Sequence, residues 1–92
     1  MKKTHWNPLK NYLLKQKYGV SFEDIIINGT FIEETKHPSR DNQRILIYEY
    51  KNYLWSIPFV PEKDVAFLKT IYPSRKLVKK YKGANNEKIR PE

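Results

Sequence analysis

Six cations fall within residues 69–82, KTIYPSRKLVKKYK: Lys69, Arg75, Lys76, Lys79, Lys80 and Lys82. Like charges this close repel one another, so the cluster calls for full solvation or for an anion to face. Arg75 is placed in the first turn of a helix, where the helix dipole disfavours a cation. An anion resolves the conflict, because unpaired backbone N–H groups and a guanidinium together suit a phosphate. The competing reading pairs Arg75 with a carboxylate such as Glu49. Lys69 shares a strand register with Val65, Phe67 and Ile71. An unpaired ammonium is costly to bury, so either that face opens to a groove at Lys69 or the alternation slips there.

A second concentration is HPSRDNQR, which brings His37, Arg40 and Arg44 within eight residues of a turn. Histidine exchanges protons near neutrality, which makes His37 a candidate acid or base, although a lone His before Pro also serves simply as a turn residue. Arg44 opens a strand and can present its guanidinium on the sheet. The two histidines, 32 residues apart, do not form a metal-ligand pattern, and no metal or cofactor is expected. Phosphate-loop, nucleophile-elbow and dinucleotide fingerprints are absent.

The elements that must position these residues follow from periodicity. Asn7-Pro8 is a helix start, and Trp6, Leu9 and Leu13 predict one apolar face for the helix that ends at Gly19. VSFEDIIING predicts a second helix, with Ser21 and Asp24 as a capping box, Val20 and Ile25 as a staple, and Gly29 as its stop. The period then becomes two. Strands are predicted at TFIEETK, RILIYEY, YLWSIPFV and VAFLKTIY, with Lys51-Asn52 a two-residue hairpin connection. Pro58 lacks an N–H and is expected at an edge or a bulge. Ser74 is expected to cap a last helix running to about Tyr81, with Leu77, Val78 and Tyr81 as its apolar stripe. The predicted class is α+β: two N-terminal helices, a four-stranded antiparallel sheet and a C-terminal helix, in one domain spanning residues 1–83, followed by a disordered tail at 84–92.

Composition narrows the function classes. A chain of 92 residues supports one modest core. Its net charge of +8 is uneven: residues 1–18 carry +5, 19–63 carry −2, and 64–83 carry +5. Such a field suits nucleic acid, an anionic membrane or an acidic protein. With no cysteine, disulfides, thiolate nucleophiles and Cys-based zinc sites are excluded, and a reducing cytoplasm is the expected location. No apolar run approaches the roughly 18 residues of a membrane span, and Met-Lys-Lys is not followed by the apolar stretch of a secretory signal. Trp55 and most tyrosines sit at strand spacing and are assigned to the core rather than to base stacking.

Three stretches carry a resemblance: WNPLK at 6–10, GVSFED at 19–24 and FLKTIYPSRKLVKKY at 67–81. Over about residues 5–82 the chain resembles the BrnT-type toxins, RelE-like ribonucleases of bacterial type II toxin–antitoxin systems. The resemblance implies a compact sheet with helices, cleavage of mRNA, on the ribosome or off it, that halts translation, and neutralisation in a hetero-oligomer with an antitoxin bearing a ribbon-helix-helix domain. The family's basic residues at the end of the last strand and the start of the last helix correspond to Lys69 and Arg75. RNA is cleaved without metal when its 2′-hydroxyl attacks the adjacent phosphate. That chemistry needs cations on the phosphorane and groups that move protons. Lys69 and Arg75, helped by Arg44, suit the first task, and His37 or a lysine of lowered pKa suits the second. Arg40, Lys76, Lys79 and Lys80 are the expected RNA-binding cations. The alternatives are a non-catalytic nucleic-acid-binding module and a structural partner of a DNA-binding antitoxin.

Overall fold

The structure, a computed structural model, describes residues 3–74. Eight elements follow one another: β1 (Lys3–Trp6), α1 (Pro8–Tyr18), α2 (Phe22–Asn28), β2 (Thr30–Lys36), β3 (Arg44–Tyr50), β4 (Tyr53–Glu62), β5 (Val65–Leu68) and β6 (Tyr72–Pro73). The strands form one sheet in the order β1-β5-β4-β3-β2, with β6 also paired to β4. The class is α+β, with two helices and six strands. The expectation of four antiparallel strands is therefore corrected at two places. An unforeseen strand, β1, lies parallel to β5. The single strand expected over 65–72 is divided into β5 and β6. The helix expected from Ser74 to about Tyr81, and the tail at 84–92, lie outside the described residues.

Pro58 explains the division. It lies on β4, in the interior of the sheet, opposite Ile45 of β3. Its carbonyl accepts from the Lys69 N–H at 2.8 Å. A strand residue's N and C=O point to the same side, so the donor that Pro58 lacks would have faced β5 and β6. The ladder breaks there, over Lys69–Ile71, and resumes where the Ser74 N–H meets the Leu54 carbonyl at 3.0 Å. A proline is thus tolerated on a central strand because its neighbour leaves a gap in register. Of the two readings offered for Lys69, the slip is the one the backbone follows, and the core face of β5 is that of Ala66 and Leu68. The Lys69 side chain stands exposed, and the alternation slips after it, so that Ile71 is buried in the main core.

The hairpin joining β3 to β4 turns on Lys51 and Asn52, with φ of 54° and 61°, the left-handed pair that a two-residue loop on twisted strands requires. The sheet face under the helices holds Tyr48, Trp55, Ile57 and Phe59, packed by Leu14, Phe22 and Ile25. Ile45, Ile47 and Leu54 form a second buried cluster on the other face. Trp55 donates its indole N–H to the Tyr50 carbonyl at 2.9 Å, so its one polar atom is satisfied within the core.

The inward face of α1 differs from expectation. Leu14 is buried, whereas Leu9 and Leu13 are exposed. Asn11 decides the rotation. Its Oδ1 accepts from the Phe22 N–H at 2.8 Å, and its Nδ2 donates to Glu23 at 2.7 Å. Pinning Asn11 to the start of α2 turns Leu14 and Tyr18, three and seven residues on, toward the core and rotates Leu9, Tyr12 and Leu13 outward.

The start of α2 is as the sequence predicts. Ser21 Oγ accepts from the Asp24 N–H at 3.1 Å, and Asp24 Oδ2 accepts from the Ser21 N–H at 2.9 Å. Lys15 Nζ adds a 2.8 Å ion pair to the same carboxylate. The Lys15 ammonium, with the Ser21 N–H, holds the Asp24 carboxyl below the usual aspartate range, and the Asn11 amide does the same for Glu23. Both groups have lowered folded-state values, so their contribution is fully present above the unfolded pKa of about 4 and is lost as pH falls through the folded values. Urea midpoints measured from pH 6 downward should stay level to about pH 4 and then drop. Asp24→Asn should flatten part of that drop, and an unchanged profile would refute the assignment.

Candidate nucleic-acid interface

Strand β1 puts a histidine where the sequence reading had none. Parallel pairing sets Lys3 beside Val65, His5 beside Phe67 and Trp6 beside Leu68. Alternation then divides the pair between two faces. Trp6 stacks on Phe22 at 5.4 Å between ring centroids, under the helices. His5 and Phe67 point to the opposite face and line a shallow recess of about 640 Å³ with Val65, Glu62, Lys63 and Asp64. Lys69 lies two residues beyond Phe67, with Nζ 5.2 Å from the centre of the Phe67 ring. A cation over an aromatic face is weakly held in place, so the ammonium stands near the ring. His5 pairs with Phe67, two residues before Lys69, so His5 and Lys69 lie at the same edge of the sheet. At the other end of the recess Glu62 and Asp64 are negative and Lys63 and Lys3 positive, so the charges there are mixed.

The other sequence candidates among the described residues do not join this strip. Arg44 occupies the helix-covered face, with Nε bonded to the Glu34 carboxylate. Glu34 in turn lines an apolar cavity of about 320 Å³ with Ile26, Phe31, Leu46, Phe59 and Ala66. The Arg44 charge is thus met locally and lies across the sheet from Lys69. His37 belongs to the turn after β2. Its Nδ1 accepts from the backbone N–H groups of Ser39 and Arg40, each at 3.1 Å, so the ring shapes the turn in the way its place before Pro38 suggests. Cross-strand register runs Lys36, Arg44, Phe59, Leu68. Three strand spacings of about 4.8 Å separate the ends of that row, so His37 and Lys69 are on the order of 14 Å apart. One phosphate cannot bridge them. Arg40 is exposed on the same turn. Arg75, Lys76, Lys79 and Lys80 lie outside the described residues.

His5 was missed because KTHW immediately precedes a helix cap and is too short to show a period of its own. The available signal was alternation, with Lys3 and His5 polar against Thr4 and Trp6. Among the described residues no three His, Asp or Glu side chains gather as a metal-ligand set, and no helix is long and apolar enough to cross a membrane. Comparison of the chain with protein-family models, with curated proteins and with solved structures finds no match in any of the three.

Proposed function

We propose that the protein is the toxin of a type II toxin–antitoxin pair, a metal-independent ribonuclease that cuts mRNA in the cytoplasm, halts translation and is neutralised by an antitoxin with a ribbon-helix-helix DNA-binding domain. The observation that carries this reading is the exposed Lys69 ammonium beside Phe67 and His5, a few residues before Ser74-Arg75 in the stretch that resembles the BrnT-type toxins. In this reading the ribonucleotide lies along the outer face of β1 and β5, with a base against Phe67. His5 takes the proton of the 2′-hydroxyl. The 2′-oxygen then bonds to phosphorus, the bond to the 5′-oxygen breaks, and the products are a 2′,3′-cyclic phosphate and a 5′-hydroxyl whose proton comes from solvent water. Lys69 and Arg75 offset the charge that develops on the non-bridging oxygens.

One observation favours a second reading, a non-catalytic nucleic-acid-binding module. Arg44 and His37, two of the four groups expected to assist chemistry, are engaged elsewhere by Glu34 and by the turn backbone. Cell-free translation with purified protein, followed by primer extension on the mRNA, separates the two. Wild type should cut, His5→Ala should cut about 10²-fold more slowly, and His37→Ala should stay within a few-fold of wild type. Intact mRNA with wild type would leave the two non-catalytic readings, the binding module and the structural partner of an antitoxin. A large loss in His37→Ala with none in His5→Ala would move the site to the β2–β3 turn.

A further inference from the structure

Helix α1 presents an apolar stripe to solvent. Leu9, Tyr12 and Leu13 are 65%, 60% and 51% exposed, and they are three of the six large hydrophobic side chains exposed among the described residues. Their spacing of three and four places them on one side of the helix, so they form one contiguous patch rather than scattered surface residues. The helix has already committed its other side to the core through Leu14 and to α2 through Asn11. Nothing within the described fold needs this stripe.

Charge surrounds it on both sides. At 100° per residue, Lys10 and Lys17 fall together along one flank, seven residues or about 10.5 Å apart. Lys17 is steadied over the Tyr18 ring at 5.2 Å. Lys15 lies on the opposite flank, and its charge is met by Asp24. No acidic residue occurs in α1.

We infer that this stripe is the docking surface for an acidic amphipathic helix of a partner protein, one with leucine-type residues at i, i+3, i+4 and i+7 and two carboxylates two turns apart that meet Lys10 and Lys17. Charge selects this occupant over the others. A second copy laid along the stripe would set lysines against lysines. The chain's own residues 75–92 bring seven basic against two acidic residues and would be repelled in the same way. An anionic membrane would gain only three apolar side chains and would meet the carboxylates of Glu23 and Asp24 beside Lys15. The inference goes beyond the ribonuclease reading and holds whether or not the chain cuts RNA.

The test uses the full chain and a fluorescently labelled designed helical peptide with that leucine spacing and glutamates seven residues apart. Binding is read by anisotropy. The wild type should bind saturably. Leu9→Ser with Leu13→Ser should weaken binding at least tenfold while the protein still melts cooperatively, only a few degrees lower, because both side chains are more than half exposed. Lys10→Glu with Lys17→Glu should lose the glutamate peptide and gain its lysine-substituted counterpart. The inference is overturned if neither peptide binds any form saturably, or if the double serine variant binds as wild type does. It is also overturned if the stripe instead drives self-association in sedimentation or retention on phosphatidylglycerol vesicles that the serine substitutions abolish. Cleavage of mRNA by the same variants should be unchanged, so failure of the docking surface and failure of the ribonuclease reading are scored separately.

Discussion

Lys69→Ala is expected to lower mRNA cleavage by about 10²–10³-fold while leaving most RNA affinity in place. A donor aimed at charge that grows in the transition state acts mainly on turnover, and loss of one such donor typically costs about 2.7–4 kcal/mol of barrier. In binding, the same lysine is one phosphate contact among several. Its removal should weaken affinity by a modest factor and reduce the salt slope by about one unit. The fold should tolerate the change, since the Lys69 side chain is exposed and its hydrogen bond to Pro58 comes from the backbone. Single-turnover cleavage and filter binding on the same preparation separate the two quantities. If affinity and cleavage fall by the same factor, Lys69 binds RNA without acting on the transition state and the binding-module reading gains.

Phe22→Ala should destabilise the protein by about 3–5 kcal/mol, the range for truncating a large buried aromatic. Against a total of about 5–15 kcal/mol for a small domain, that is a large share. Phe22 is fully buried and stacks on Trp6, and it begins the helix that Asn11 ties to α1. Strand β1 is four residues long and, among the described residues, has a sheet neighbour on one side alone. The Trp6–Phe22 stack is therefore its chief attachment beyond the ladder to β5. Urea denaturation should show the loss of stability, and hydrogen exchange should show the Lys3–Trp6 amides losing protection more than those of β3 and β4. A loss below about 1 kcal/mol, or uniform changes in protection, would mean that β1 is held some other way.

What was legible in the sequence is what local chemistry specifies. Ser21 and Asp24 announce the start of α2 by the hydrogen bonds they exchange. Lys51-Asn52 between two alternating runs announces a tight hairpin, and β2, β3 and β4 carry their own period. What was not legible depends on distant partners. KTHW becomes a strand only because residues 65–68 lie some sixty positions later with an open edge. The face of α1 is set by Asn11, a polar residue that a count of leucines overlooks. The fourth predicted strand breaks because of Pro58 on its neighbour. The site followed the same logic. Lys69 was visible as a cation out of place in an apolar register, and it stands exposed. His37 and Arg44 drew attention by closeness in sequence, yet a turn and an ion pair hold them away from Lys69. His5 could be found only once β1 had been placed beside β5.

The most direct measurement is the pattern of amide shift changes when a short single-stranded RNA with a non-cleavable 2′-methoxy backbone is titrated into ¹⁵N-labelled protein. If RNA lies on the outer face of β1 and β5, the changes will concentrate at Lys3–Trp6 and Val65–Thr70 and will weaken in Lys69→Ala. If they concentrate instead at residues 37–44, or if no amide of β1 or β5 responds at saturation, the face bearing His5, Phe67 and Lys69 is not where this protein meets RNA.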